Sequence, residues 1–244
     1  MLSEAELARY DRQMLMPGWG RAVQEKLKAR TVFVAGAGGL GSPASLYLAA
    51  AGVGHLRVCD FDEVQLSNLN RQILHDDTRL GVNKALSAQT TLRRINPHVR
   101  VTALQGRITT RSVDRLVGGA DIILDCMDNY PTRFVLNAAA IRKRIPLVHA
   151  SIRGLEGRLA FLRPPRTACL RCMIRKAPAP EVFPVVGAAP GVIGSLQAVE
   201  AVKFLAGIGE NLTGRLLIWD GVRMEQQVFS VPKDPSCPAC RGRR

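Results

Sequence analysis

The residues best suited to chemistry begin at a glycine-rich turn. Gly36, Gly38 and Gly41 fit G-x-G-x-x-G immediately after the apolar run Thr31–Ala35 and ahead of a helical stretch. Glycine tolerates positive φ and lets backbone N–H groups come close to a phosphate, and a helix N-terminus adds about +0.5 charge there. Asp60 closes the next apolar run, where a carboxylate can accept hydrogen bonds from ribose hydroxyls. This pattern specifies a nucleotide. It leaves a dinucleotide and ATP both open, and a glycine turn that serves only close packing would look the same.

More polar residues fall where loops should leave the carboxyl ends of strands, the usual ligand edge of a parallel sheet. Asp60 and Asp62 flank Phe61, and Ser67-Asn68-Leu69-Asn70-Arg71-Gln72 follows. Lys84 falls in the first turn of a helix capped by Asn83, where a cation opposes the helix dipole by ~0.3–1 kcal/mol. An anionic ligand would offset that cost; a solvated lysine is the plainer explanation. Asp128-Asn129 precedes Pro131, so Asn129 suits helix capping as well as ligand binding. Together these positions supply ribose acceptors, two cations for phosphates and a carboxylate suited to Mg²⁺. No Ser/His/Asp spacing and no activated nucleophile is evident. Attack by a carboxylate on the α-phosphate of ATP would need none, because the carboxylate is already ionised at neutral pH and needs only positioning and charge stabilisation.

Cys169-Leu-Arg-Cys172 and Cys237-Pro-Ala-Cys240 form two C-x-x-C pairs. Four thiolates satisfy tetrahedral Zn²⁺ with no open position, which points to a structural zinc site; a redox pair or an iron–sulfur cluster are the alternatives. Cys59 and Cys126 lie inside apolar strands and read as buried, inert thiols.

These residues need elements to hold them. Ser3 to about Lys28 reads as two helical pieces broken at Pro17-Gly18, with Ser3 and Glu6 as a capping box. Strands are expected at Thr31–Ala35, Leu56–Asp60, Val99–Leu104, Asp121–Cys126 and Pro146–Ala150. They alternate with helices at Ala44–Ala51, Lys84–Ile95, Arg111–Val117 and Pro131–Arg144. Such alternation implies a mostly parallel sheet covered on both faces. After about Ser151 the texture changes to strands Leu159–Arg163, Leu216–Asp220 and Glu225–Val231. Ala177–Pro190 reads as an extended crossover loop, and an apolar helix opens at Gly191 and runs to about Leu205. The expected fold is α/β: a Rossmann-like, doubly wound, mostly parallel sheet extended by C-terminal antiparallel strands and closed by a structural zinc site of four cysteines. Within 1–244, one domain is expected: helices over 1–30, a nucleotide-binding core over 31–150, and a carrier-binding and zinc part over 151–244.

The chain has 244 residues, 34 Lys+Arg against 20 Asp+Glu, and a net charge of +14. Its 47% hydrophobic content excludes a disordered basic tail as the main body. The charge invites a nucleic-acid partner, yet 27 of the basic residues are arginine, a bias that a GC-rich genome also writes onto solvated surfaces. No zinc-finger, RNA-recognition or helix-turn-helix motif accompanies it, so nucleic acid is not expected. No apolar run is long enough to span a membrane, and the charged N-terminus is unlike a signal peptide. A cytoplasmic location follows, where paired cysteines favour metal over disulfides.

The ordered set Arg9-Tyr10-Asp11-Arg12-Gln13, Gly36–Ser42, Asp60-Phe61-Asp62, Ser67–Gln72, Asp125–Asn129, Gly191–Gln197 and both cysteine pairs resembles one family over nearly the whole chain. It is the ubiquitin-activating-type adenylyltransferases of the ThiF/MoeB/HesA group, with the molybdopterin-synthase and thiamine sulfur-carrier adenylyltransferases among its bacterial members. The resemblance implies ATP-dependent adenylation of the C-terminal glycine of a small ubiquitin-like sulfur carrier ending in Gly-Gly. By position it makes Gly39, Asp60, Ser67, Asn68, Arg71, Lys84, Asp128 and Asn129 the ATP residues, with Asp128 serving Mg²⁺. Arg12 looks like the family arginine that reaches the neighbouring subunit's ATP, which implies a homodimer. Two departures stand out. Many relatives carry a cysteine in the crossover loop, whereas Ala177–Pro190 has none and Pro180 sits near the expected place. The chain also ends four residues after Cys240, so a separate sulfur donor is expected, a cysteine desulfurase or sulfurtransferase. A tRNA-modifying adenylating enzyme of the same family, an NAD(P)-dependent oxidoreductase and a non-catalytic zinc-stabilised scaffold are the competing readings.

Overall fold

A computed structural model describes residues 1–179 and 184–241. Two N-terminal helices, α1 (Glu4–Met14) and α2 (Gly20–Lys28), precede the sheet. Helix α1 starts as its sequence requires: the Ser3 and Glu6 side chains form reciprocal bonds with each other's backbone N–H.

The parallel half of the sheet is built from β1 (Thr31–Ala35), β2 (His55–Cys59), β3 (Arg100–Leu104), β4 (Ile122–Asp125) and β5 (Leu147–Arg153). Helices α3 (Gly41–Ala51), α4 (Lys84–Ile95), α5 (Val113–Val117) and α6 (Tyr130–Lys143) connect them. The sheet then turns antiparallel through β6 (Glu156–Leu162), β7 (Arg215–Asp220) and β8 (Glu225–Ser230). Its order is β3-β2-β1-β4-β5-β6-β7-β8, eight strands in all.

The two-residue period of the strands splits the core across the sheet. Val32, Val34, Leu56, Val58 and Leu124 face one side, under α2, α3, α4 and the long α8 (Ala188–Ala206). Phe33, Ala35, Cys59, Ile123 and Leu147 face the other, under α5 and α6. Both faces of β1 and β4 are therefore buried, which is why these strands read as continuous apolar runs.

The eight expected strands are all present, and the differences lie mostly at the ends. β5 continues to Arg153 and β6 starts at Glu156, because the two pair antiparallel around a tight turn at Gly154. α3 takes in Gly41-Ser42-Pro43 and so begins inside the glycine-rich turn. α8 starts at Ala188, three residues ahead of Gly191. A four-residue helix, α7 (Leu170–Met173), had no sequence signal, since it is set by the cysteine cluster around it. Pro184 and Val185 of the crossover segment lie along the β5–β6 turn, where the Pro184 carbonyl accepts the Gly154 N–H at 2.8 Å. Pro180 lies outside the described residues. Among the described residues no helix is long and apolar enough to cross a membrane.

Candidate functional site: the crevice at the β1–β4 switch point

Strand order reverses between the parallel neighbours β1, which leads away to β2 on one side, and β4, reached on the other. Open α/β sheets bind ligands outside the carboxyl ends of strands at such a point. A cavity of about 510 Å³ opens there, within the usual size of a small-molecule site.

The glycine-rich turn after β1 forms one side, through Gly36, Gly38, Gly39 and Leu40. Gly36 has φ +100°, and a Cβ on Gly41 would meet the Gly36 carbonyl oxygen at 1.9 Å. The first glycine is thus needed for its backbone angle. Gly41 is needed for the tightness of the turn, and it does not line the cavity.

Asp60 follows β2. Its carboxylate accepts the Ala37 N–H at 2.8 Å and the Asp62 N–H at 2.9 Å, so the second strand holds the glycine turn in place. Burial pushes its carboxyl above the usual range, against the pull of those two N–H groups and of Lys84. Asn83 caps α4 through the Ala85 N–H and donates to the Asp60 and Asp62 carbonyls. It thereby places Lys84 in the crevice. Lys84 is 7% exposed, and its Nζ lies 3.7 Å from an Asp62 carboxylate oxygen.

The segment after β2 carries Arg71 and Gln72 into the cavity wall. Arg71 donates to the Ser67 carbonyl and the Asn70 side chain, both at 2.9 Å, which holds its guanidinium at the rim. Two buried side-chain oxygens here have no protein partner, Oδ1 of Asn68 and Oε1 of Gln72. A carboxamide can present either its oxygen or its NH₂ in the same space, so Gln72, which lines the cavity, is open to a polar ligand. Asn68 sits behind the wall and Ser67 is exposed outside it; neither lines the cavity.

The β4 side is formed by Met127, Asp128 and Asn129. Asn129 does both things its sequence allows. Its oxygen caps α6 by accepting the Thr132 N–H, and its NH₂ donates to Asp128 at 3.2 Å. Asp128 is exposed at the mouth, a carboxylate open to solvent and to a cation held with a phosphate. Arg12 lies exposed in the last turn of α1 and does not reach its own chain's cavity.

Three supports escaped the sequence reading. Arg133, 5% exposed, donates to the carbonyls of Met127 and Ala150. Beneath it, buried Asp125 accepts from His149 Nδ1 at 2.7 Å and from the Met127 N–H at 3.2 Å. Together they fix the loop that presents Asp128. His75 is the third, and bonds to Ser87 and to the Ala37 carbonyl. Arg133 falls one turn after Asn129 on α6, a spacing that could have flagged it; the two histidines offered no pattern. Cys59 and Cys126 are buried as expected, with their thiols pushed up by burial, Cys59 to about 12.

The four paired cysteines meet on the far side of α6. Their sulfurs lie within 4.8 Å of one another, with separations of 3.5, 3.7 and 3.9 Å among them. These are too long for disulfides. A metal about 2.3 Å from four sulfurs sets their spacing at about 3.8 Å. The cluster could hold such an ion.

The sequence profile of the ThiF family matches residues 10–239. The chain belongs to the ThiF family. It is 41% identical to the sulfur carrier protein adenylyltransferase of Thermus thermophilus, covering 98% of this chain and 92% of that one. It is 42% identical to the SAMP-activating enzyme E1 of Haloferax volcanii, over 98% and 90%. It is 40% identical to the adenylyltransferase and sulfurtransferase MOCS3 of Drosophila sechellia. There the chain spans only about half of the relative's length, 54%. Among solved structures, E. coli MccB has the same fold, with a TM-score of 0.86 at 22% identity over 99% of this chain and 74% of that one. PaaA superposes at a TM-score of 0.83, with 24% identity over 95% and 84%.

Proposed function

We propose that this ThiF-family chain is an adenylyltransferase acting on a small ubiquitin-like sulfur-carrier protein that ends in Gly-Gly. The observation that carries this reading is the meeting of Asp60, Arg71, Lys84 and Asp128 in one crevice beside a glycine turn, with no side-chain nucleophile among them. The names of the Thermus and Haloferax relatives support it.

In this reading the triphosphate lies along the turn formed by Gly36, Gly38 and Gly39, and Asp60 accepts the ribose hydroxyls. Lys84 and Arg71 offset the phosphate charge, and the open amide of Gln72 completes the polar contacts. The carrier's C-terminal carboxylate attacks the α-phosphorus. The bond to the β-phosphate bridging oxygen breaks, pyrophosphate leaves, and an acyl-adenylate remains. The attacking group is an anion, so no general base is required. Asp128 is the group that would hold Mg²⁺, which when bound would neutralise charge on the phosphates. Asp62, 3.7 Å from the Lys84 ammonium, holds that lysine aimed at the crevice.

The same reading extends to the rest of the chain. Residues 1–244 act as one adenylation unit, with 1–30 as N-terminal helices, 31–150 as the nucleotide part and 151–244 as the carrier-binding and zinc part. Cys169, Cys172, Cys237 and Cys240 hold a structural Zn²⁺. Arg12 completes the site of a second copy in a cytoplasmic homodimer, and sulfur comes from a separate donor. ATP–pyrophosphate exchange that depends on a Gly-Gly carrier from the same organism tests the proposal. Exchange with tRNA in place of a carrier, or tight NADH binding without ATP binding, would replace it.

A further inference from the structure

The parallel strands run the same way, so their amino ends share the edge of the sheet opposite the crevice. Each connecting helix runs back against them and brings its carboxyl end to that same edge. The last turns of α4 and α5 deliver Arg93, Arg94 and Arg115 there, and Arg144 caps α6. Arg100 opens β3, the outermost strand. A basic residue in a last turn complements the helix dipole, and one per helix would need no further cause. The charge at this edge exceeds that. Residues 78–113 contain no Asp or Glu. The next two acids, Asp114 and Asp121, are already paired with Arg142 and Arg30. Arg93, Arg94, Arg100, Arg115 and Arg144 are exposed, and none has an ion-pair partner among the described residues. They also adjoin one another. Arg57 in β2 donates to the carbonyls of Arg115 and Leu116, and the neighbouring strand sets Arg100 beside His55. Burial, and after it the charge of Arg100, pulls down the pKa of both His55 and Arg57. Lys143 donates to the Gly118 carbonyl just past α5, which joins the end of α6 to the same track.

We propose that this arginine edge docks the phosphate backbone of a base-paired RNA, apart from the crevice. The lack of a sequence-reading motif excludes base recognition and leaves phosphate contacts open. Arginine pairs with phosphate bidentately, which suits the residue type found. Between residues 93 and 144, Ile95 is the only large apolar side chain that is exposed. A protein partner would need apolar or aromatic anchors at the centre of its interface. No helix lies along the edge to enter a DNA major groove, because α4, α5 and α6 meet it end-on. The helix ends do present backbone carbonyls, which are acceptors for a 2′-hydroxyl that DNA lacks. The proposal does not depend on the adenylyltransferase reading, since the RNA lies on the edge away from Asp60 and Lys84.

Fluorescence anisotropy on the full-length chain tests this. The probes are a labelled RNA duplex, a DNA duplex of the same sequence and labelled polyglutamate, from about 50 to 200 mM salt. RNA should bind best and weaken steeply with salt. R94Q, R100Q and R115Q should each weaken RNA about three- to tenfold and flatten the salt slope by about one, with thermal midpoints near wild type. R223Q removes an equal charge from the exposed β7–β8 turn and should bind RNA as wild type does. Carrier-dependent ATP–pyrophosphate exchange should be unchanged in all four variants. No RNA binding by folded wild type, or an equal loss in R223Q, would overturn the proposal and leave the functional reading intact. Equal affinity for DNA or polyglutamate would reduce the edge to a general polyanion surface and overturn the RNA assignment.

Discussion

His75 Nε2 lies 2.9 Å from the carbonyl oxygen of Ala37, in the glycine-rich turn, while its Nδ1 lies 2.8 Å from Ser87 Oγ in α4. The carbonyl can only accept, so Nε2 carries the proton and Nδ1 accepts from the serine. One neutral imidazole thus ties the turn to the helix that bears Lys84. Burial is the main cause that holds its pKa down at about 4. In the unfolded chain it takes up a proton near pH 6.5. The folded state therefore loses stability as pH falls from about 6.5 towards 4, and the contribution is complete above that window. The loss should be ~1–3 kcal/mol. Denaturant midpoints measured across this range should slope downward in wild type and lose that part of the slope in H75Q. An unchanged slope in H75Q would assign the acid sensitivity elsewhere.

That histidine also marks where the sequence stopped being readable. The expected helix at Lys84–Ile95 matches α4 residue for residue, because Asn83 is a cap and the apolar period begins right after it. Thr31–Ala35 is readable for a similar reason: a strand buried on both faces has no polar interruption. The polar groups that line the crevice came out because they follow strands, and topology brings strand ends together. His75, Arg133 and the Asp125–His149 pair did not. Each is a single buried polar side chain, and the partners that satisfy His75, Arg133 and His149 are 12 to 38, 6 to 17 and 24 residues away. No periodicity encodes such contacts. The start of α8 was misplaced because Gly191 looks like a helix boundary, whereas the Val186 carbonyl already accepts the Ala189 N–H upstream.

Removing charge from the crevice should stop chemistry and spare the fold. Arg71 is at the rim and Asp128 is exposed, so neither carries core packing. Each of R71A and D128A should lower carrier-dependent ATP–pyrophosphate exchange by roughly 10²–10³-fold, the usual cost of losing one charge-stabilising group. Thermal midpoints should stay close to wild type. Near-normal exchange in either variant would remove that residue from the site.

Tightness of the glycine turn can be tested apart from charge. A methyl group on Gly41 would meet the Gly36 carbonyl oxygen at 1.9 Å, an overlap that only backbone movement relieves. G41A should therefore lose at least ~1–3 kcal/mol of stability and bind ATP weakly even where it folds. G106A is the control, because a Cβ there has nothing within 4 Å. Equal stability of the two variants would contradict the turn geometry.

The cysteine cluster joins α7 to the C-terminal segment, with sulfurs from both C-x-x-C pairs alternating around one centre. Elemental analysis of purified chain should give about one zinc. C237S should lose it, since three thiolates no longer close the shell, and should free the C-terminal segment to protease. Arg175, which pairs with Asp234 across the same junction, should not hold the segment unaided, because that ion pair is exposed. Iron in place of zinc, or a folded metal-free sample resistant to protease, would contradict the assignment.

The proposed role of Arg12 gives the sharpest test of the dimer, because the residue stands outside its own chain's crevice. If it serves a partner's ATP, R12A alone should inactivate, and so should K84A alone. The two defects then fall on different sites of a mixed dimer. The chain with R12A keeps its Lys84 and receives Arg12 from its partner, which makes one complete site. The other site lacks both groups. Mixing separately inactive R12A and K84A proteins under conditions that exchange subunits should restore exchange activity, up to about a quarter of wild type for random pairing. Were Arg12 to act within its own chain, every mixed dimer would carry one defect in each site and activity would stay at the level of the parents.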